Sequence, residues 1–234
     1  MIKAILFDLD NTLIDFMKMK RLSCEAAISA MIDAGLTMEK EKAMKLLFRL
    51  YDQHGFEDPR IFQKFLSKYQ KEVNPKVLAS GVVAYRKVRA GFLEPYPHVV
   101  RTLMKLKEKG IKLGIVTDAP TMKAWIRLMS MKIGDYFDVV VAFEDTMQLK
   151  PHTLPFQEAL RRLKVKPEEC LMVGDRPERD VKGAQQLGMM TCFAKYGNAS
   201  AVFSGADYDI SDIEELLGVV GLHEHPTSEK GKKK

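Results

Sequence analysis

Five short, almost uninterrupted apolar runs recur along this chain, with amphipathic stretches between them. The runs are KAILFD (3–8), IKLGIVTD (111–118), FDVVVAF (137–143), ECLMVGD (169–175) and MMTCFA (189–194). A strand with one wet face alternates apolar and polar residues, whereas a strand buried on both faces does not. The later intervening stretches, such as VVRTLMKLKEKG (99–110), LPFQEALRRLKV (154–165) and RDVKGAQQLG (179–188), repeat apolar residues at helical spacing. Gly110 and Gly188 stand where those helices would stop. Continuous apolar strands alternating with amphipathic helices predict an α/β fold, a doubly wound (Rossmann-like) parallel sheet covered on both faces.

One segment breaks the rhythm. Between Phe16 and Phe92 there is no strand-like run, and the pattern predicts four helices at 17–34, 39–54, 58–71 and 75–91. Breaks fall at Gly35, at Gly55 with Pro59, and at Asn74–Pro75. The expected organisation is an α/β core from residues 1–14 and 95–221, an inserted all-helical domain at 15–94, and a polar, disordered tail at 222–234. No internal repeat is visible.

The net charge of +6 is unevenly placed. Residues 15–94 carry 15 Lys and Arg against 10 Asp and Glu, a balance of +5, and residues 223–234 carry four Lys against two Glu. The basic residues of 15–94 alternate with acids along helices, which describes solvated faces rather than a nucleic-acid surface. A basic insertion does favour anionic small molecules. No apolar run approaches the ~18 residues of a membrane span. Lys3 and Asp8 bracket too short a stretch for a signal peptide. Three widely spaced cysteines, Cys24, Cys170 and Cys192, offer no CxxC pair, and the cytoplasm is the expected compartment. Trp125 and the many Met residues at helical spacing read as core.

Three of the apolar runs end in residues with chemistry. The first ends at Asp8, the second at Thr117–Asp118 and the fourth at Asp175; Lys150–Pro151 follows the third. Ligands of a doubly wound sheet bind outside the carboxyl ends of its strands, so these endings would meet in one site. There Asp8 can attack an electrophilic phosphorus. Asp10, two residues on, can protonate the leaving oxygen and later accept a proton from water. Two carboxylates facing a phosphate dianion require a cation, and oxygen ligands favour Mg²⁺. Asp8, Asp175 and the backbone carbonyl of Asp10 would hold it. Thr117, the backbone N–H groups after Asp8 and the Lys150 ammonium would hold the phosphoryl oxygens.

DLDNT (8–12), the threonine of GIVTD (114–118), Lys150 and GDRPERD (174–180) resemble, in order, the four motifs of the haloacid dehalogenase superfamily. Helical insertion after the first motif resembles the subfamily whose mobile cap sits there, and within it the small archaeal phosphatases. The resemblance covers nearly everything but the tail. It implies Asp8 as nucleophile, Asp10 as acid and base, Thr117 and Lys150 as positioning groups, Asp175 as a metal ligand and Asp180 supporting the metal through water. A helix-start acid is the other reading of Asp180. Asn11, Thr12 and Asp118 are candidate substrate contacts, although Asn and Asp also suit turns. Phe16 and Lys20, with Met17, lie just beyond the first motif, where a cap would face substrate.

Dehalogenases and phosphonatases of the superfamily lack an aspartate at the position of Asp10, so Asp10 favours cleavage of a phosphate ester. The resemblance implies a cap that excludes water and a substrate from the triose or sugar phosphates. A phosphomutase of the same fold remains open. A receiver-like phospho-aspartate domain is disfavoured by the DxD spacing and the insertion, and a non-catalytic protein of this fold by the intact motifs. Expected partners are a small phosphorylated metabolite, with neither nucleic acid nor membrane. Oligomeric state is not readable, and a homodimer stays open.

Overall fold

The computed structural model describes residues 1–201 and 203–221. The expected tail at 222–234 lies outside the described residues. Six strands form one parallel sheet: β1 (Ala4–Phe7), β2 (Lys112–Val116), β3 (Val139–Val141), β4 (Cys170–Gly174), β5 (Met190–Ala194) and β6 (Tyr208–Ile210). Their order is β3-β2-β1-β4-β5-β6. The chain builds outward from β1 on one side and returns to build on the other, so the switch point lies between β1 and β4. Phe7 is level with both Ile115 and Val173. The residues just beyond β1, β2 and β4 therefore emerge at one edge, as the apolar runs predict.

The helices are α1 (Phe16–Asp33), α2 (Lys40–His54), α3 (Ile61–Tyr69), α4 (Pro75–Gly91), α5 (Val99–Glu108), α6 (Thr121–Ser130), α7 (Phe143–Thr146), α8 (Leu154–Leu163), α9 (Lys182–Gln185) and α10 (Leu216–Val219). Alternate residues of β1 face opposite ways. Ala4 and Leu6 pack in one cluster with Phe156, Ala159, Leu160 and Leu163 of α8. Ile5 and Phe7 are fully buried as well. Burial on both faces is why the run never alternates. The sixth strand was not evident in the sequence. It is a three-residue edge strand whose Tyr208 and Asp209 are exposed, so it leaves no apolar run to read.

The chain divides into two compact units. The α/β unit comprises Met1–Leu13, Tyr96–Asp118 and the described residues from Asp135 onward; the helical unit comprises Ile14–Pro95 and Ala119–Gly134. The second piece of the helical unit, which contains α6, was expected in the α/β core. Within that unit Arg127 of α6 forms an ion pair with Glu57 and lies 4.7 Å from the centre of the Phe16 ring.

Within the helical unit, Asp15 caps α1 by accepting the Lys18 N–H, and Asn74 caps α4 by accepting from Lys76 and Val77, with Pro75 in the first turn. Its core gathers Ile28, Met31, Leu47, Leu50, Tyr51 and Phe65. One expectation is corrected here. Met122, Trp125, Ile126 and Met129 form an exposed stripe along α6 rather than core. Ala124, Arg127 and Leu128 take the buried face instead, with the Arg127–Glu57 pair occupying room that apolar side chains would otherwise fill.

Lys20 lies inside this unit. Its ammonium donates to the Phe56 carbonyl at 2.6 Å and to the Tyr85 hydroxyl at 3.0 Å, and sits 4.5 Å from the Tyr51 ring centre. Burial lowers its pKa to about 8, against the opposing pull of Cys24 and Glu57. Between that value and the ordinary 10.5, the unfolded chain binds a proton that the folded chain does not. Stability attributable to Lys20 therefore rises with pH across that window, by roughly 3 kcal/mol in total. Denaturant unfolding of the native protein and Lys20→Met, compared from pH 7 to beyond the window, should show the difference moving in favour of Lys20. A pH-independent difference would contradict the desolvated ammonium.

Candidate active site

The site is assembled on the α/β unit from the loops that follow β1, β2, β3, β4 and β5. Asp8 extends β1, its N–H donating to the Val173 carbonyl at 2.8 Å. The chain then turns through Asn11, a left-handed residue with φ 60° that asparagine tolerates better than most. The loop after β5 braces this turn. Tyr196 donates its hydroxyl to the Thr12 carbonyl at 2.9 Å, and the Asn198 side chain donates to the Asp175 carbonyl at 3.1 Å. Between them Gly197 packs so closely that a Cβ there would collide with the Asn11 carbonyl oxygen. These three residues lie outside the motif pattern, and Gly-Asn reads in sequence only as a turn.

Lys150 is buried at the centre. Its ammonium donates to Asp8 Oδ1 at 2.6 Å and to the Val116 carbonyl at 2.9 Å, and pairs with Asp180 Oδ1 at 2.6 Å. Asp180 Oδ2 accepts the Arg176 N–H at 3.0 Å. Asp180 is thus a buried member of the cluster, and the helix expected to start near it opens with a π-helical turn, Pro177–Val181. Gly174 makes room for it, since a Cβ at that position would fall on the Asp180 carboxylate. Gly174→Ala should therefore push Asp180 off Lys150 and lower kcat by about 100-fold, the usual cost of displacing a positioned group by about an ångström. Steady-state kinetics on folded variant checks this, and an unchanged kcat would contradict the packing argument.

Asp8, Asp175 and Asp180 each bring a carboxylate oxygen within 4.8 Å of the others. Burial, reinforced by the charges of Asp8 and Asp180, pushes the Asp175 carboxyl up to about 8. Burial likewise raises Asp180 to about 6, against the downward pull of Lys150. Desolvation alone would lower Lys150, but Asp180, Asp8 and Asp118 together raise it, so it stays charged. With all three carboxylates ionised the single ammonium would leave two negative charges in a nearly dry cluster, and the raised Asp175 and Asp180 carboxyls reflect the cost of that state. A divalent cation with oxygen preference fits that deficit in charge and in donor type. Asp10 is half-buried, and its carboxylate is not one of the three in the cluster.

The other expected site residues divide by unit. Asn11, Thr12 and Thr117 are buried in the α/β unit, Thr12 completely. Both Asp118 oxygens are engaged within the protein: Oδ1 accepts the Lys150 backbone N–H at 2.9 Å and Oδ2 pairs with Arg179. Arg179 itself carried no motif signal beyond preceding Asp180. Phe16 and Lys20 belong to the helical unit, where both are buried.

A sequence model described as haloacid dehalogenase-like hydrolase matches residues 5–194. A glyceraldehyde 3-phosphate phosphatase of Methanopyrus kandleri is 40% identical over 227 residues, covering 94% of this chain and 97% of that protein. The pyrophosphatase PpaX of Bacillus cereus is 30% identical, over 94% of this chain and 96% of that protein. The crystal structure of a HAD phosphatase from Thermococcus onnurineus, 27% identical, superposes with a TM-score of 0.70 over 94% of this chain and 98% of that one. The strand order, the acidic cluster around Lys150 and these matches agree, and the chain belongs to the haloacid dehalogenase-like hydrolase family.

Proposed function

We propose that this protein is a Mg²⁺-dependent phosphatase that hydrolyses the phosphate monoester of a small metabolite through a phosphoryl group carried on Asp8. One observation carries the reading: Asp8 projects from the switch point of the sheet beside a buried ammonium and two further buried carboxylates. That combination suits a nucleophile working on an anionic phosphorus centre.

The roles follow from position. Asp8, Asp175 and the Asp10 carbonyl, with Asp180 in support, would hold Mg²⁺, which would supply charge neutralisation for the phosphoryl oxygens. An Asp8 oxygen attacks phosphorus as the bond from phosphorus to the leaving oxygen breaks, and the Asp10 carboxylic acid gives that oxygen its proton. Asp10, now a carboxylate, takes a proton from water as the water oxygen attacks the same phosphorus. The phosphorus–Asp8 bond then breaks, releasing inorganic phosphate and restoring Asp8. Thr117 and Lys150 hold the phosphoryl oxygens during both steps.

The relatives, one named for a triose phosphate and one for pyrophosphate, favour a compact phosphorylated substrate. The helical unit is proposed as the part that selects it. That unit contains a cavity of about 170 Å³ lined by Lys20, Arg86, Arg89 and Lys123 over the aromatic rings of Tyr51 and Tyr85. Glu57 and Asp58, the acids on its wall, are already paired with Arg127 and Lys64. The remaining cations make the cavity favourable to anionic groups. No helix among the described residues is long and apolar enough to cross a membrane.

Phosphate release from p-nitrophenyl phosphate and a panel of triose and sugar phosphates, with Mg²⁺ and with excess chelator, tests the proposal. Mg²⁺-dependent release that ranks the panel supports it. Folded, Mg²⁺-binding protein that hydrolyses none of the esters would sink it.

A further inference from the structure

We infer that Asp118 and Arg179 form a clamp on the backbone of Lys150 and are positioning residues for its ammonium. The inference rests on the phosphatase reading of the site but assigns something that reading does not require. Lys150 reaches Asp8 and Asp180 with a long, flexible side chain, and it starts from an irregular segment between α7 and α8. Four rotatable side-chain bonds magnify any drift in the backbone that carries them, so the ammonium is only as well placed as the Lys150 peptide groups.

Those groups are tied on both sides. The Lys150 N–H donates to Asp118 Oδ1 at 2.9 Å, and the Lys150 carbonyl accepts from Arg179 Nε at 3.3 Å. Arg179 Nη2 in turn pairs with Asp118 Oδ2. The three residues close a ring: carboxylate to amide, carbonyl to guanidinium, guanidinium back to carboxylate. A guanidinium serves this purpose well because its planar fork can donate in two directions at once.

The ring also connects three loops. Asp118 immediately follows Thr117 at the end of β2, Arg179 immediately precedes Asp180, and Lys150 lies between them in the chain. The pair thereby keeps the segment bearing the ammonium in register with the segments bearing Thr117 and Asp180. Neither side chain needs to touch substrate for this, since both Asp118 oxygens already have partners within the protein.

The test uses the full-length, Mg²⁺-supplied enzyme and compares Asp118→Ala, Asp118→Asn and Arg179→Gln with the native protein. Loss of a supporting partner of this kind should lower kcat by about 10- to 100-fold. KM and the thermal midpoint should stay close to native. Asp118→Asn, which keeps an acceptor for the Lys150 N–H, should lose less than Asp118→Ala. In a Lys150→Ala protein, Asp118→Ala should change the residual kcat by less than about twofold, because its effect acts through Lys150. An equal loss in both backgrounds would overturn the clamp, and so would a raised KM with native kcat, which would return Asp118 to substrate contact. A crystal structure of Asp118→Ala reads the same point without activity: the Lys150 ammonium should leave Asp8 and Asp180, and an unmoved ammonium contradicts the inference. Failure of the phosphatase reading would show differently, as a native protein without Mg²⁺-dependent turnover.

Discussion

Asp8→Asn should lower phosphate release by at least about 10⁴-fold while leaving the fold intact. The amide matches the carboxylate in shape and keeps an oxygen facing the Lys150 ammonium, so packing around the loop has no reason to change. What is lost is the nucleophile, because an amide oxygen does not displace an alkoxide from phosphorus. The electrostatics make the separation clean. Asp8 is one of three clustered carboxylates that repel one another, and its charge is among the causes raising Asp175 and Asp180. Removing that charge relieves repulsion while giving up the Asp8–Lys150 ion pair, two effects that oppose each other, so the metal-free variant should unfold at a temperature close to that of the native protein. A dead enzyme of undiminished stability supports the assignment. Residual turnover within tenfold of native would remove Asp8 from the role.

Asp10→Asn should produce a loss of about 10² to 10⁴-fold with sugar phosphates, the usual worth of a positioned general acid and base. The informative result concerns timing. A poor leaving group such as a sugar alkoxide needs the Asp10 proton to depart, so the variant should stall before the first bond breaks. p-Nitrophenolate leaves without that proton, and here the variant should stall afterwards, because no base activates the water. Rapid mixing with p-nitrophenyl phosphate should therefore release one p-nitrophenolate per enzyme in a fast phase, followed by slow turnover. Sugar phosphates should give no such phase. Slow release from the start with both substrates would mean that Asp10 serves the first step by some means other than proton donation.

Much of this arrangement is visible in the chain before any coordinates. Ala4–Phe7 and Cys170–Gly174 read as strands because both their faces are buried, and that same burial forces the polar residues beyond them to one edge. Asp8, Asp175, Asp180 and Lys150 could be gathered by that logic, since each stands just beyond a strand or at the start of a predicted helix. Side-chain commitments were not legible. Asp118 read as a substrate contact or a turn former, and nothing in its spacing announced its partners, a backbone N–H 32 positions away and an arginine 61 positions away. Sequence spacing says nothing of such pairings. Gly174 and Gly197 resembled ordinary strand-end and turn glycines, and only the packing shows what a Cβ would strike. The stripe of Met122, Trp125, Ile126 and Met129 misled for the opposite reason. Helical periodicity identifies a face but not which way it points, and Arg127, paired with the half-buried Glu57, had taken part of the inward side.

The measurement that bears most directly on the account is chemical trapping of the phosphoryl group during turnover. Enzyme mixed with Mg²⁺ and p-nitrophenyl phosphate would be quenched in acid, reduced with borohydride and digested, and the peptide containing residues 4–15 examined by mass spectrometry. An acyl phosphate on Asp8 is reduced to the alcohol, so homoserine at position 8, absent without substrate and absent in Asp8→Asn, is the result the account requires. Steady phosphate release with Asp8 recovered unmodified, from an Asp10→Asn enzyme in which the intermediate should accumulate, would contradict it.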